Sequence, residues 1–294
     1  MKNNSGLPDF IVIGAMKCGT TSLWEYLKQH PNVHLPHGIK NIEYFDSNAN
    51  WNKGLPFYKK HFHENSNTYS IGEISTEYTK YPHVKDVAKN MYATLPSVKL
   101  VYLIRHPMER LISHYIHNVG AAKEPRDINS ALQDKANNPY ILYSLYFFQL
   151  EQFLKHFNKD NILIITTDNL LHNREQTLNS IFEHINIEPI DKPISNIKTH
   201  TRQSKRSWNR IGKVVRRSPK YFNYYNYYLS RLPKAQASRV ERLLCRPIKE
   251  PVLNGSNFQH LSKLFSDDLA SLQKKMDIQL PRWKLTTGSD KNNA

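Results

Sequence analysis

The stretch from Phe10 to Leu27 constrains the fold of this chain more than any other. Four apolar residues with strand propensity lead into Gly14, and a short loop follows with a lysine, a second glycine and three hydroxyl side chains. After the loop, apolar residues recur at helical spacing, as at Leu23 and Tyr26. In such a strand, loop and helix, backbone N–H groups and the helix dipole attract an anion. The sequence therefore predicts a phosphate-binding loop.

The spacing of this loop differs from the triphosphate-binding pattern G-x-x-x-x-G-K-[ST]. Gly14 and Gly19 occupy the two glycine positions and Thr21 the position of the hydroxyl that holds Mg²⁺, but Thr20 stands where the pattern has its lysine. The lysine of this loop, Lys17, lies earlier in the chain. From there it can meet the terminal anionic group of a nucleotide from another side.

Two segments resemble the sulfotransferases that use 3′-phosphoadenosine 5′-phosphosulfate (PAPS). The segment from Lys17 to Ser22 looks like their 5′-phosphosulfate loop, in the K-x-G-T-T form of carbohydrate enzymes related to heparan sulfate sulfotransferases. The segment with Arg105 and Ser113 resembles their 3′-phosphate motif. Residues 71–78 and 162–187 are similar to further blocks of these enzymes, with a looser match at the final helix and Trp283.

The resemblance implies PAPS as the sulfonate donor, held at two separate anion sites. An arginine fork and a serine hydroxyl suit a 3′-phosphate. Loop residues of a later basic segment are expected to close over the nucleotide. That family needs no metal, so none is expected here. The implied donor-binding residues are Lys17, Cys18, Gly19, Thr20, Thr21, Ser22, Arg105 and Ser113, with Arg202 and Lys205 as the closing residues.

The implied reaction is an in-line displacement at sulfur, in which a base takes the proton of an acceptor hydroxyl and Lys17 stabilises the leaving oxygen. In carbohydrate relatives a glutamate follows the lysine of a K-E-x-x-F-F-like segment, whereas Asn41 follows Lys40 here. An asparagine is not a base. Glu43 would face the same side as Asn41 in an extended segment. Candidate bases are Glu43, Glu73, His34 and His37, and a substrate-assisted route is a further alternative.

Strand and helix segments alternate along the first 190 residues. This order predicts an α/β fold: a three-layer, mostly parallel sheet flanked by helices, with a P-loop-like nucleotide site and a helical C-terminal extension. We expect residues 8–190 to form the PAPS-binding core, 191–285 a basic, tyrosine-rich helical region that completes the domain and acceptor cleft, and 286–294 a disordered tail. Local patterns predict a mobile surface insertion over 120–138, one long helix over 140–157 and a last helix over 265–276.

Positive charge is concentrated in one part of the chain. The formal net charge is +16, and residues 198–249 contain 15 Lys and Arg against the single acid Glu241. Such a region favours polyanions or an anionic membrane surface. We expect it to line the cleft of a carbohydrate acceptor or to contact a membrane, and a solvated surface is a further alternative. We expect no nucleic acid partner.

The cellular location is predicted from cysteine content and hydropathy. Cys18 and Cys245 form no disulfide framework or metal motif, which favours a reducing compartment. The N-terminus leads directly into the first strand, and no run of about 18 apolar residues occurs. These features predict a cytoplasmic enzyme, with peripheral contact to the inner face of the membrane.

The sequence thus predicts a PAPS-dependent sulfotransferase acting on a hydroxyl of a polysaccharide or glycolipid. One alternative is a P-loop kinase using ATP and Mg²⁺, which Thr20 at the lysine position disfavours. Another is a nucleic-acid-binding protein that uses the basic region. That hypothesis leaves the Lys17 loop and Arg105 without a role.

Overall fold

A computed structural model describes residues 6–36, 38–62, 70–190, 194–195, 206–209, 212, 214–215 and 218–285. Its centre is a five-stranded sheet in which every neighbouring pair is parallel. The strands are β1 (Phe10–Gly14), β2 (Val33–His34), β3 (Ser70–Ile74), β4 (Lys99–Ile104) and β5 (Ile162–Thr166), in the spatial order β2-β3-β1-β4-β5. The predicted parallel sheet flanked by helices is confirmed.

Nine helices of different lengths are described between β1 and residue 184, seven of them between central strands and two after β5. They are α1 (Thr20–Leu27), α2 (Gly54–Lys59), α3 (Val87–Thr94), α4 (Pro107–Gly120), α5 (Ile128–Ala131), α6 (Pro139–Leu142), α7 (Tyr146–Leu154), α8 (Thr167–His172) and α9 (Arg174–His184). Two 3-10 turns occupy Trp51–Lys53 and Lys159–Asn161.

The C-terminal part is helical, with one small sheet. Strands β6 (Arg206–Trp208) and β7 (Cys245–Pro247) pair in antiparallel fashion, and the helices are α10 (Pro219–Arg231), α11 (Lys234–Leu244) and α12 (Gly255–Met276). Within the described ranges, no helix is both long and apolar enough to span a bilayer.

The central strands are apolar along almost their whole length, as expected for strands covered on both faces. All five residues of β1 are buried, and five of the six residues of β4 are buried. Ile11 of β1 lies opposite both Glu73 of β3 and Leu100 of β4. Because the strands are parallel, their carboxyl ends lie at one edge of the sheet, where such folds bind ligands.

Helix α12 connects two clusters of buried side chains. Leu261 and Phe265 in its first half belong to a cluster with α4, α5 and α6. Leu269, Leu272 and Met276 in its second half belong to the main core around the sheet. The last helix therefore packs the peripheral helices onto the sheet.

The predicted helix over 140–157 is wrong, since two helices, α6 and α7, replace it. Leu145 between them has an extended backbone, with φ −86° and ψ 90°. Ser144 donates a hydrogen bond to the carbonyl of Tyr140 (3.0 Å) and accepts one from Nε of Arg110 (2.7 Å). A contact with a distant arginine thus helps to end α6, and apolar spacing alone does not reveal it.

Two other expectations differ from the structure. The segment 120–138 contains α5 and buries Ile128, Ala131 and Leu132, so it packs against the protein instead of forming a mobile insertion. The last helix begins ten residues earlier than expected, at Gly255, because the side chain of Asn254 caps it by accepting from Asn257 N (2.8 Å). The predicted tail 286–294 lies outside the described residues, and the domain division remains a prediction.

Asp268 of α12 fixes the start of α7. Its carboxylate oxygens accept hydrogen bonds from the backbone N–H groups of Phe147 (3.0 Å) and Phe148 (3.1 Å). These groups lie in the first turn of a helix, where no intrahelical acceptor exists. Desolvation raises the pKa of Asp268 to about 6, and the backbone donors offset this effect only in part.

We expect Asp268→Asn to change how stability depends on pH. Between about pH 4 and pH 6 the folded protein keeps a proton on Asp268 that the unfolded chain has released, so stability falls as the pH rises through this window. The free energy of unfolding falls by at most about 3 kcal/mol across this window, and replacing the carboxyl group by a neutral amide removes this fall. In thermal unfolding, the melting temperature of the variant relative to wild type should therefore be higher at about pH 7.5 than at about pH 4.5.

The matched control is Asp267→Asn, at an exposed position of the same helix. Its melting temperature relative to wild type should not change between the two pH values. The same constancy for Asp268→Asn would contradict the assignment of a raised pKa to Asp268.

Candidate active site

The loop between β1 and α1 is shaped by two glycines. Gly14 ends β1, and a Cβ at this position would lie 2.0 Å from Oγ1 of Thr79, so no larger residue fits. Gly19 has φ 93° and forms the N-cap of α1. Lys17 between them has φ 71°, a left-handed conformation that is uncommon outside glycine. The predicted strand, loop and helix are all present.

Hydrogen bonds tie this loop to the sheet. Thr167 Oγ1 donates to the carbonyls of Cys18 (2.6 Å) and Ile104 (3.1 Å), and Ala15 N donates to the carbonyl of Leu103 (2.7 Å). Thr167 thus joins the loop to the end of β4. The loop is held in place before any ligand binds.

Lys40 brings a second ammonium group to the start of α1. Its Nζ donates to Oγ1 of Thr20 (3.1 Å) and of Thr21 (3.0 Å). Burial, followed by the nearby charge of Lys17, lowers the pKa of Lys40 to about 8. Lys40 therefore places a cation beside Thr20, the position that lacks the lysine of the triphosphate loop. Sequence reasoning did not assign Lys40 to this site, because 20 residues separate it from the hydroxyls that it contacts.

Cys18 contributes its backbone to the loop. Its side chain is fully buried, 3.7 Å from the hydroxyl of Tyr146. Burial raises the pKa of the Cys18 thiol to about 11, so the thiol is neutral near pH 7. A buried, neutral thiol is a poor nucleophile.

The second predicted anion site lies at the end of β4. Arg105 follows the strand, and its guanidinium forms an ion pair with Glu109, with Nε 3.0 Å from Oε2. The hydroxyl of Tyr146 donates to the carbonyl of Arg105 (2.7 Å) and accepts from its N–H (3.2 Å). Ser113 is buried two turns along α4. Arg105 thus lies at the end of β4 and Ser113 on the helix that follows, and their binding of a 3′-phosphate remains a prediction.

Arg110 is a fully buried cation between Arg105 and Ser113 on α4. Its Nη2 donates to the carbonyl of Tyr140 (2.9 Å), while Nη1 has no hydrogen-bond partner among the described residues. Desolvation lowers the pKa of Arg110. Its charge acts on Cys18, where it is the largest influence that opposes the effect of burial on the thiol. Arg110 thus adds positive charge behind the phosphate-binding loop.

The segment with Asn41 and Glu43 is not extended, contrary to expectation. Both residues have left-handed backbones, with φ 64° and 57°. Asn41 Oδ1 accepts from the backbone N–H (3.0 Å) and the hydroxyl (3.2 Å) of Thr76, and Asn41 N donates to the carbonyl of Ile74 (3.0 Å). These contacts hold the segment against the end of β3. Because the backbone is not extended there, Glu43 need not face the same side as Asn41. A glutamate with φ above zero is uncommon, and such conformations cluster at functional sites.

Glu43 remains a candidate base in this segment. It is half-buried, and burial raises its pKa, with the charge of Glu77 as the next contribution. Glu77 forms an ion pair with Lys80, and the Lys80 ammonium opposes the rise in the pKa of Glu43. Sequence reasoning did not single out Glu77 or Lys80, since only the tertiary fold brings them near Glu43.

Glu73 lies inside the core, with both carboxylate oxygens engaged. It accepts hydrogen bonds from the hydroxyls of Tyr58, Ser75 (2.5 Å) and Tyr78 (2.7 Å). Its side chain is 1% exposed, and burial raises its pKa. This arrangement is typical of a structural carboxylate that organises surrounding tyrosines.

Of the remaining candidate site residues, the structure describes one and leaves three outside the described ranges. His34 lies on the edge strand β2. His37, Arg202 and Lys205 fall outside the described residues. No group of three or more His, Cys, Asp or Glu side chains within the described ranges is arranged to hold a metal ion.

The C-terminal segment returns to the site after α12. Nε1 of Trp283 donates to Oδ2 of Asp168 (2.6 Å) beside the end of β5, and the Trp283 ring lies 6.0 Å from that of His106. Nε2 of His106 donates to the carbonyl of Lys284 (3.3 Å). The segment therefore borders the site next to Arg105.

This chain is similar in fold to solved structures and similar in sequence to curated proteins. A crystal structure of a sulfotransferase from Alicyclobacillus acidocaldarius has the same fold, with a TM-score of 0.65 and 19% identity over 94% of this chain and 98% of that one. The chain is 28% identical over 222 residues to a bifunctional heparan sulfate N-deacetylase/N-sulfotransferase 1 of Caenorhabditis briggsae, covering 69% of this chain and 25% of that protein. It is 26% identical over 195 residues to heparan sulfate glucosamine 3-O-sulfotransferase 5 of Homo sapiens, covering 62% and 54%.

The chain thus spans between a quarter and about half of the length of these curated relatives. The family model described as the sulfotransferase domain matches residues 7–223, which is more than half of the chain. The matched range includes the Lys17 loop, Lys40, Glu43, Arg105 and Ser113. The chain therefore belongs to the sulfotransferase domain family.

Proposed function

We propose that this protein transfers the sulfonate group of PAPS to a hydroxyl of a carbohydrate. Two cationic sites on neighbouring parallel strands carry this proposal. Lys17 and Lys40 lie at the loop after β1, and Arg105 lies at the end of β4, the strand paired with β1. PAPS has a 5′-phosphosulfate and a separate 3′-phosphate, so it requires two such sites. The kinase and nucleic-acid alternatives do not account for this pair.

The residues present fit an anionic donor. Lys17 of the loop and Lys40 beside it offer two ammonium groups, and Thr20 and Thr21 offer hydroxyls. Fully buried Arg110 adds a positive charge, and its Nη1 lacks a hydrogen-bond partner in the part of the chain that the structure describes. Buried cations are costly unless an anion compensates them, and a bound bisphosphate would supply that compensation. Lys17, Lys40, Arg105 and Ser113 are the side chains that would hold the donor.

Bound PAPS supplies the sulfonate, which forms a bond to the acceptor oxygen as its bond to the phosphate oxygen breaks. Lys17 and Lys40 would stabilise the negative charge that develops on that phosphate oxygen. The pKa of about 8 for Lys40 leaves most of it protonated at pH 7. An anion beside it would favour the protonated form further.

We assign the base to Glu43. A raised pKa makes a carboxylate a stronger base, and Glu43 lies on the segment that Lys40 and Asn41 anchor to the site. Glu73 already accepts three hydroxyl hydrogen bonds, which suits a structural role. Asn41 would position the segment instead of moving a proton.

The names of the relatives support a carbohydrate as the acceptor. Their names describe enzymes of heparan sulfate, one sulfating nitrogen and one sulfating oxygen. We propose a carbohydrate acceptor, with a hydroxyl as the attacked group because the site offers a carboxylate base. An amine acceptor would be recognised by transfer to glucosamine nitrogen in the assay below. The cytoplasmic location remains a prediction from the sequence.

Titration calorimetry with 3′-phosphoadenosine 5′-phosphate (PAP), without Mg²⁺, tests the nucleotide site. We expect Arg105→Ala to weaken PAP binding by about 10- to 100-fold, since a charge-assisted phosphate contact contributes about 1.5–3 kcal/mol. Binding of adenosine 5′-phosphate, which lacks the 3′-phosphate, should not change. Arg246→Ala, at an exposed arginine of β7, is the control. Tighter binding of ATP with Mg²⁺ than of PAP would contradict the proposal and would favour the kinase hypothesis.

Removal of either lysine should reduce sulfonate transfer. We expect Lys17→Ala to lower the rate by about 10²- to 10³-fold and Lys40→Ala by at least about tenfold, because both stabilise charge on the leaving group. The measurement is transfer of labelled sulfonate from PAPS to a panel of unsulfated polysaccharides. Lys28→Ala, at an exposed lysine after α1, should retain the wild-type rate. Wild-type rates in both active-site variants would contradict the assigned roles.

The two candidate glutamates should respond differently to conversion to glutamine. Glu43→Gln should lower turnover by about 10²-fold or more and leave PAP affinity unchanged. In wild type the rate should rise with pH through a pKa above the ordinary 4.5, because the base acts only when deprotonated, and this dependence should vanish in the variant. Glu73→Gln should instead reduce stability by about 1–3 kcal/mol. A fully active Glu43→Gln would exclude Glu43 as the base.

A further inference from the structure

Helix α10 exposes four tyrosines that the proposed reaction does not use. Tyr221, Tyr224, Tyr227 and Tyr228 are each more than half exposed. Tyr221, Tyr224 and Tyr228 follow the i, i+3, i+7 spacing of a single helix face, and the rings of Tyr224 and Tyr228 are stacked at 6.4 Å. We call this face the tyrosine stripe. Exposed aromatic patches of this kind mark interaction sites.

The opposite face of α10 already packs on the protein. The Phe222 and Tyr225 rings lie 5.9 Å and 5.3 Å from the Trp208 ring of β6. Leu229 continues this inner face and is half-buried. The helix is therefore attached through one face, and the tyrosine stripe is not needed to hold it in place.

Positive charge surrounds the tyrosine stripe at both ends. Lys220 precedes Tyr224 by one helical turn, and Arg231 follows Tyr228 by three residues. Cζ of Arg231 lies 3.8 Å from the centroid of the Tyr227 ring. The surrounding segment 198–249 contains 15 Lys and Arg and one acid. The surface that complements this face is therefore anionic.

The tyrosine stripe lies far from the sulfotransfer site. Strand β6 meets the C-terminal end of α4, where a Cβ on Gly120 would lie 3.3 Å from the carbonyl of Arg206. Arg105 precedes the other end of α4, and a helix of 14 residues is about 20 Å long. The stripe is also the convex face of a helix, whereas small ligands and sugars bind in concave sites. Both observations favour a broad surface over a sugar residue in the active site.

We propose that the tyrosine stripe, with Lys220 and Arg231, docks this protein on an anionic phospholipid surface. Tyrosine is enriched at membrane interfaces because its ring is apolar and its hydroxyl stays hydrated. Basic side chains next to it attract acidic headgroups. The helix would lie in the plane of the interface, with its inner face still on Trp208. This docking does not depend on the proposed transfer reaction.

Co-sedimentation with vesicles tests this proposal. Wild-type protein should bind vesicles of phosphatidylcholine and phosphatidylglycerol in equal parts, and not pure phosphatidylcholine. The double variant Tyr224→Ser/Tyr228→Ser should lose at least about tenfold in affinity through lost apolar contact. Lys220→Gln/Arg231→Gln should weaken binding and reduce its dependence on salt. Tyr92→Ser, at an exposed tyrosine of α3, is the control and should bind like wild type.

Two measurements separate folding and carbohydrate binding from lipid docking. PAP titration of each variant should match wild type, because the stripe lies outside the nucleotide site. Equal vesicle binding by wild type and both double variants would overturn the proposal. Loss of heparin binding in the variants, with no binding of wild type to the anionic vesicles, would also overturn it and assign the stripe to a polysaccharide.

Discussion

Repulsion between like charges is the constraint on which the rest of this structure depends. Lys17 and Lys40 lie close enough for one charge to lower the pKa of the other, and the buried guanidinium of Arg110 acts on Cys18 of the same loop. Such a group of cations costs free energy in the absence of an anion. The fold holds them together through rigid supports: the close contact of Gly14 with Thr79, the hydrogen bond of Thr167 to the loop, and the fully buried strand β1. A bisphosphate would meet charges that are already in position, which is the condition for tight and oriented binding.

Tyr146 forms contacts with both of the proposed anion sites. Its buried hydroxyl makes both backbone hydrogen bonds to Arg105 and lies 3.7 Å from the thiol of Cys18 in the other site. Tyr146 is the first residue of α7, and Asp268 of α12 caps the first turn of that helix. The spacing between the sites is therefore supported by a residue more than 120 positions away from Tyr146 in the sequence. This explains how a C-terminal helix with no group in the site takes part in building it.

The sequence was sufficient to predict the local parts of the site. The strand, loop and helix around Lys17 and the strand end at Arg105 depend on neighbouring residues, and both have the predicted form. The parts that were missed depend on contacts between distant segments. Lys40 reaches Thr20 across 20 residues, and the break between α6 and α7 involves Arg110. The left-handed conformations of Asn41 and Glu43 follow from docking on β3, and the burial of Glu73 follows from the tyrosines around it. The spacing of apolar and polar residues along the sequence does not reveal such long-range contacts.

Asn41 also has a consequence for the electrostatics of the site. A neutral amide next to Lys40 leaves the donor end of the site with Lys17, Lys40 and Arg110 and removes a carboxylate that would oppose them. On the neighbouring side the charge of Glu77 raises the pKa of Glu43, and Lys80 forms an ion pair with Glu77. The site is thus divided into a cationic end that suits a phosphosulfate and an acidic end that suits proton removal from a hydroxyl. A neutral side chain at position 41 preserves both ends, because a carboxylate there would raise the pKa of Glu43 further and would offset the charge of the cations at the same time.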